Sequence, residues 1–321
     1  MDVTWWHLNF QRDVLLSRSL TPNTFRTYRT GINHYLRFCQ RFGIPPLPLV
    51  EGMIENFCVS LQHRVAYKSI KVYLCGVQLF STISGGHVKI EHMQRLEYVL
   101  SGIRRVQGNR FTRPLRTPIT WALLKTICRY IVCTELPFDR DMLLSAVLVA
   151  FFGLLRVSEY VSPSPSVADS DSLSAGDVSI DWSRRVALII YIKKSKTDPF
   201  RLGVTVRVSC VDHPLCPVPA LQRFSARRGH RDGPLFVFAN GSFLTRVRVL
   251  DLLTRSLPLV PNVNTHSFRR GGASALANAG VPGHVIQIMG RWRSDAYTQY
   301  LQLSDEFVAR SNLDMTRESR R

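Results

Sequence analysis

The sequence lacks a long apolar run, a disulfide pattern, a phosphate-loop motif and any internal repeat, and it is poor in acidic residues. Its longest apolar stretch, residues 142–155, is interrupted only by Ser145 and Gly153. It is too short to cross a bilayer as a helix, so a fully buried core helix is expected instead. The opening MDVTWWHLNFQRD has no basic-then-apolar layout, which argues against a secretion signal and for an intracellular chain. The cysteines, Cys39, Cys58, Cys75, Cys128, Cys133, Cys210 and Cys216, are odd in number and lack framework spacing. They read as buried thiols of a reducing compartment. Without a GxxxxGK[ST] loop, no ATP-dependent chemistry is expected.

What is abundant is positive charge, with 42 Lys+Arg against 23 Asp+Glu and a formal net charge of +19. Residues 1–110 carry 14 basic and 6 acidic side chains, so the excess is spread over both parts of the chain. The cations are interspersed with apolar residues rather than gathered in runs. That pattern suits two folded domains gripping a nucleic acid better than a basic tail or a membrane-surface protein. At 321 residues, with 45% hydrophobic content, each of two domains can hold its own core.

Thr21-Pro22 predicts a capped helix start, followed by Phe25, Tyr28, Ile32, Tyr35, Leu36 and Cys39 at helical spacing and a stop at Gly43. Further helices are expected near 50–61, 66–81 and 92–106, making residues 1–110 an all-helical bundle. Arg26, Arg29, Arg37 and Arg41, with Lys68 and Lys71, are its candidate contacts to a nucleic-acid backbone. Residues 111–120 read as an interdomain linker. Within QGNRFTRPLRTPIT, Arg110, Arg113 and Arg116 are available to the same polyanion. Residues 121–321 begin with helices at 121–132 and 140–155 and a solvent loop at 162–177. Strands are expected at 185–192, 204–208 and 235–238, and the chain after Thr245 is expected to be helical. The fold class is mainly α (α+β), with a small antiparallel sheet.

Five places carry chemistry. Arg156 follows the buried run in FFGLLRVSEY; a guanidinium there must enter a polar site or meet an acid, and Glu159 is one turn away. His266 and Arg269 in NTHSFRRGG lie on the first turn of a helix expected to be capped by Thr265, where free N–H groups attract an anion, and Gly271 and Gly272 permit close backbone approach. Lys196 sits in KSKTD at a hairpin tip, and Tyr297 and Tyr300 share a short helix in RSDAYTQYLQL. Cys210, His213 and Cys216 form a possible metal corner without a fourth ligand, so no metal or other cofactor is expected.

In chain order these pieces resemble the tyrosine recombinase, or phage integrase, family: an arginine in GLLRVSE, a hairpin lysine in SKT, H-x-x-R in HSFR, and MGRWRSDAYTQYL. The family's His/Trp position follows the glycine of the last phrase. Strict counting from Gly290 places Arg291 there, whereas the G-R-W phrasing, similar to the eukaryotic Crypton and DIRS mobile elements, favours Trp292; both remain open. The family's spacing selects Tyr300 over Tyr297.

The resemblance implies a helical core-binding domain at 1–110 and a catalytic domain at 121–321. It implies double-stranded DNA as partner and cleavage by Tyr300 through a 3′-phosphotyrosine link. Arg156 and Arg269 would hold the phosphate, His266 would act as base or hydrogen-bond partner, and Lys196 would protonate the leaving 5′-oxygen. It further implies a Holliday junction, a tetramer tied by the segment after Tyr300, and action in the nucleus. The competing classes are a recombinase-derived DNA-binding protein that no longer cuts and a topoisomerase of the IB type.

Overall fold

The computed structural model describes residues 5–315 except 112, 113, 169, 184, 196, 197, 199 and 230–232. The chain divides into two compact units, Met1–Arg113 and Pro114–Arg321. No helix among the described residues is long and apolar enough to cross a membrane.

The first unit is made of α1 (Trp5–Arg18), α2 (Pro22–Phe42), α3 (Glu51–Leu61), α4 (Tyr67–Ile83) and α5 (Gln94–Gln107). As Thr21-Pro22 predicts, α2 starts there, with the Thr21 hydroxyl accepting from Thr24 N at 3.3 Å. It ends at Gly43 in the left-handed conformation, φ 62°. Its buried stripe, however, is Gly31, Tyr35, Phe38 and Cys39, rotated from the expected one, and Phe25 and Leu36 are exposed. The reason is a close helix crossing. A Cβ on Gly31 would lie 2.6 Å from Tyr73 Cα, and one on Gly76 would lie 2.6 Å from Tyr28 O, so α2 and α4 meet backbone to backbone. Gln107 ties the unit together by accepting from Tyr67 N (2.8 Å) and donating to Gln62 O (2.7 Å) and Val65 O (2.9 Å). Helix α1 lies where none was expected, because its apolar residues do not gather on one stripe.

The second unit runs α6 (Trp121–Thr134), α7 (Pro137–Phe152), α8 (Val157–Tyr160), β1 (Val178–Asp181), β2 (Ala187–Ile192), β3 (Val204–Ser209), α9 (Pro217–Arg228), α10 (Arg246–Ser256), α11 (Ser267–Asn278), α12 (Gly283–Met289), a 3-10 turn (Asp295–Tyr300) and α13 (Asp305–Met315). Its spine is α7, in which every residue from Asp141 to Phe151 is buried. Ser145 is tolerated there because its hydroxyl lies 2.7 Å from Asp141 O and 2.9 Å from Ala220 O of α9. The sheet is antiparallel in the order β1-β2-β3, with Leu188, Ile190 and Ile192 of β2 facing the core.

Two expectations are corrected, and two further features were not anticipated. Strand β1 begins right after the segment read as a loop. Among the described residues, 235–238 belong to no strand: Val237 makes an isolated bridge with Phe243, and Pro234 just before them makes one with Ser174, although the side chains of 235–238 are all buried. The run read as ending at 155 stops at Phe152, so Arg156 stands at the start of α8 rather than at the end of α7. Finally, part of the expected linker is held by the second unit: Thr117 N donates to Asn262 O (3.2 Å), Thr117 Oγ1 to Pro261 O (2.7 Å) and Ile119 N to Ser267 O (3.0 Å).

Gly76→Ala should destabilise the first unit by about 2 kcal/mol, the scale of an overpacked core. Gly52→Ala on α3, where a Cβ meets nothing within 4 Å, should be neutral or stabilising. Urea unfolding of both variants checks this; a Gly76→Ala protein as stable as the parent contradicts the close crossing.

Candidate active site

The site is assembled where the backbone leaves α7. Leu154 adopts φ 48°, a conformation that L residues other than glycine, asparagine and aspartate avoid. Its carbonyl accepts from Arg269 Nη1 and, at 3.0 Å, from Arg291 Nη2. Arg291 itself has φ 56°. Two strained non-glycine residues held by one cluster of hydrogen bonds mark a place whose surroundings fix its geometry.

Among the described residues, Glu159, 2% exposed, is the one carboxylate that pairs with Arg156 and Arg291. Its Oε2 accepts from Arg156 N (2.8 Å) and Arg291 Nη2 (3.0 Å), and its Oε1 from Arg156 Nη1 (2.8 Å). The acid anticipated for Arg156 is therefore shared with Arg291. Arg269 is fully buried and anchored to Leu154 O and Gly290 O, with its guanidinium 4.2 Å from the Trp292 ring centre. Burial, then Arg156 and Arg291, push its pKa down to about 9, so it remains charged at neutral pH. Burial likewise lowers Arg291, against the pull of Glu159. Among the described residues, Nε of Arg269, Nε of Arg270, and Nε and Nη1 of Arg291 are buried donors without a partner. Surplus cations and idle donors around one acid make a seat for an anion.

Helix α11 begins at Ser267, so His266 is its N-cap residue and the expected Thr265 cap is corrected. The helix makes no side-chain cap bond; the turn that leads into it is held by Asn264 Oδ1 accepting from His266 N (2.9 Å) and Ser267 Oγ accepting from Asn264 N (3.0 Å). Gly271 and Gly272 press against Ile119 O and Phe151 O, where a Cβ would overlap the backbone, and this contact carries Arg269 to the end of α7. His266 is depressed to about 4, by burial first and then by Arg269, Arg116, Arg156 and Arg270. Its imidazole is thus neutral at pH 7, with a ring nitrogen free to accept a hydrogen bond, while burial and the surrounding arginines oppose its protonation.

The two tyrosines are separated by their surroundings. Tyr297 packs into a small apolar cluster with Ile286, Ala273 and Trp292, and its hydroxyl abuts Gly283. Tyr300 turns its ring to His266 (centroids 5.1 Å apart, 61° between planes), with Trp292 at 5.6 Å and the Arg270 guanidinium at 5.6 Å from its ring centre. Both open candidates reach the cluster, Trp292 over Arg269 and Arg291 on Glu159. Arg270, which also donates to Gln299 O (3.0 Å), was not singled out from sequence; its place beside Arg269 in HSFRR was the available signal.

Lys196 lies outside the described residues, as does Arg113. The neighbouring hairpin lysines are paired, Lys193 with Asp177 (2.7 Å) and Lys194 with Asp171 (2.5 Å). Cys210 and Cys216 have their sulfurs 3.4 Å apart, while His213 Nδ1 accepts from Leu215 N and its ring sits edge-on to Trp121. Among the described residues no group of three or more His, Cys, Asp or Glu is placed to hold a metal. Arg26, Arg29, Arg37 and Arg41 lie exposed on one side of α2, Lys68 and Lys71 are exposed on α4, and Arg110 and Arg116 are exposed as well.

No protein-family model and no curated protein sequence matches this chain. Solved structures do match it in shape. The XerH site-specific recombinase bound to a palindromic difH substrate, in a post-cleavage complex, aligns with TM-score 0.62 and 16% identity, covering 91% of this chain and 80% of that one. The Tn1549 transposon integrase with transposon right-end DNA gives 0.58 and 17%, covering 92% and 94%. A lambda integrase dimer on a COC′ core site gives 0.54 and 16%, covering 98% and 78%. The chain has the tyrosine recombinase fold. In this recombinase fold the helical share and the small antiparallel sheet are as expected from sequence.

Because folded His266 resists protonation until about pH 4 while the unfolded chain takes up that proton near 6.5, stability should fall as pH drops through this window. Denaturant midpoints should show that His266→Gln removes part of the fall; an unchanged pH dependence would mean that His266 is not held neutral.

Proposed function

We propose that the chain is a site-specific DNA recombinase, or integrase, that breaks and rejoins DNA through Tyr300. The observation that carries this reading is the buried excess of guanidinium around Glu159, placed with neutral His266 against the Tyr300 ring. A phosphodiester resists attack because its transition state concentrates negative charge, and fixed cations in a water-poor site offset that charge. Arg156 and Arg269 take the non-bridging oxygens. A planar fork matches them, as an ammonium would not. Trp292 holds its ring over the Arg269 guanidinium, and Arg291 steadies Glu159.

An ordinary tyrosine has a pKa of about 10, so attack at neutral pH needs a base or hydrogen-bond partner, and His266 fills that place once a seated phosphate offsets the arginine charge that lowers its pKa. Lys196 on the β2–β3 hairpin delivers a proton to the leaving 5′-oxygen. The bond energy is kept in a 3′-phosphotyrosine ester, which a 5′-hydroxyl of a partner duplex then attacks, passing through a Holliday junction without ATP or metal.

The first unit supplies the core-binding domain. The exposed arginines of α2, Lys68 and Lys71, with Arg110, Arg113 and Arg116, provide contacts to the phosphate backbone of double-stranded DNA. Leu303, Val308 and Leu313 are exposed beyond Tyr300, which supports that segment as the contact between protomers of a tetramer. The G-R-W phrase supports a mobile-element recombinase of the Crypton or DIRS style, acting in the nucleus.

A random-sequence library of nicked duplexes tests the chemistry, with covalent adducts recovered after denaturation and mapped. The expected adduct is a 3′-phosphate on Tyr300, lost in Tyr300→Phe and unaffected by EDTA. Arg156→Ala or Arg269→Ala should lower adduct formation by roughly 100-fold or more while most DNA binding remains. An adduct that survives Tyr300→Phe overturns the assignment. Binding without any adduct supports the silent DNA-binding protein, and relaxation of plasmids lacking a special site supports a topoisomerase.

A further inference from the structure

The segment bearing Tyr300 has little to fix its own position. It is a single 3-10 turn with few internal bonds, among them Thr298 Oγ1 to Asp295 O (2.7 Å) and Leu301 N to Thr298 O (3.2 Å). Such turns hold their shape weakly. Nucleophilic attack, by contrast, demands a phenol placed to a fraction of an ångström. Something outside the turn must supply that placement.

Helix α11 presents three polar side chains at i, i+4 and i+8, which fall on one face. Arg270 Nη1 donates to Gln299 O (3.0 Å), and Ser274 Oγ donates to Tyr300 O (3.2 Å) while accepting from Gln302 N (3.0 Å). Asn278 uses both ends of its amide, donating from Nδ2 to Gln302 O (3.2 Å) and accepting at Oδ1 from Ser304 N (2.8 Å). Five hydrogen bonds thus grip the backbone on both sides of Tyr300. The same helix carries Arg269, and it starts at His266.

We propose that Arg270, Ser274 and Asn278 form a backbone clamp that positions the Tyr300 hydroxyl for attack. They are positioning residues, since they hold main chain rather than the phosphate. Because one rigid helix bears both the clamp and the phosphate-holding Arg269, nucleophile and target share one frame. The Tyr297 ring against Gly283 is a second anchor on the same turn, so removing one clamp residue loosens the tyrosine without releasing the segment. Arg270 adds a cation facing the Tyr300 ring, which favours the developing phenolate. The clamp rests on the recombinase reading for its purpose, though its hydrogen bonds can be tested without it.

The test compares Ser274→Ala, Asn278→Ala and the hydroxyl-retaining Ser274→Thr with the parent. Recovered nicked duplexes serve as substrate, with the scissile 5′-oxygen either normal or replaced by sulfur. Adduct formation should slow by roughly 10- to 100-fold in the two alanine variants, with DNA retention and melting temperature near parental values. Ser274→Thr should recover most of the rate. A thiolate leaves without a proton, so sulfur should rescue Lys196→Ala but leave the clamp variants slow. Parental rates in the alanine variants, or rescue of them by sulfur, would overturn the proposal. If the parent forms no adduct, the recombinase reading fails on its own. Hydrogen exchange at the Gln302 and Ser304 amides then decides the clamp: faster exchange in Ser274→Ala and Asn278→Ala supports it, and unchanged exchange rejects it.

Discussion

One carboxylate governs the second unit. Glu159 is shared between the guanidinium groups of Arg156 and Arg291, and among the described residues Arg269 pairs with no acid but with the carbonyls of Leu154 and Gly290. Burying cations in this ratio opposes folding, because neither water nor a matching number of carboxylates stabilises them. The surroundings make the arrangement tolerable by aiming backbone carbonyls at Arg269 and Arg291 and placing the indole of Trp292 over Arg269. An anion seated there, as proposed, would relieve the remaining imbalance.

Much of the architecture serves that cluster. The uniformly buried α7 gives a rigid rod, and the left-handed Leu154 turns its carbonyl toward two arginines instead of back along the helix. Gly272 lets α11 lie against the end of α7 and Gly271 lets it lie against the backbone of Ile119, and a β-carbon at either position would force that contact apart. Moving α11 outward by one methyl group would carry Arg269, His266 and the tyrosine clamp away together. Rigid packing is therefore the means by which distant parts of the sequence keep one geometry.

How far this was legible from sequence depended on whether local physics or tertiary contact decided each feature. The helices of the first unit were readable because Thr21-Pro22 and Gly43 punctuate them, whereas the buried side of α2 was misread because Gly31, which marks the crossing with α4, counts as nothing in an apolar pattern. Strand β1 was missed since VSID is short and follows a polar loop, and 235–238 looked like a strand because burial and strand pairing select the same residue types. At the site, Arg156, His266, Arg269 and Tyr300 could be picked out by kind and order. The sharing of Glu159 with Arg291 joins residues 132 positions apart, which one sequence does not expose. The grip of Ser274 and Asn278 on the tyrosine segment was hidden for another reason: it is made to main-chain atoms, which leave no residue preference behind.

The depth at which Arg269 lies has a consequence for ionic strength. Mobile counterions screen exposed charges, such as those along α2, within about 10 Å at ordinary salt, so attraction of a polyanion to that surface fades as salt is added. A guanidinium sealed beneath Trp292 admits no counterion cloud, and its pull on a seated phosphate stays nearly constant. In the proposed recombinase, capture of the duplex and retention of one phosphate would thus respond to different variables. Rising salt would make encounters rarer without loosening the hold on a phosphate that has already reached its seat.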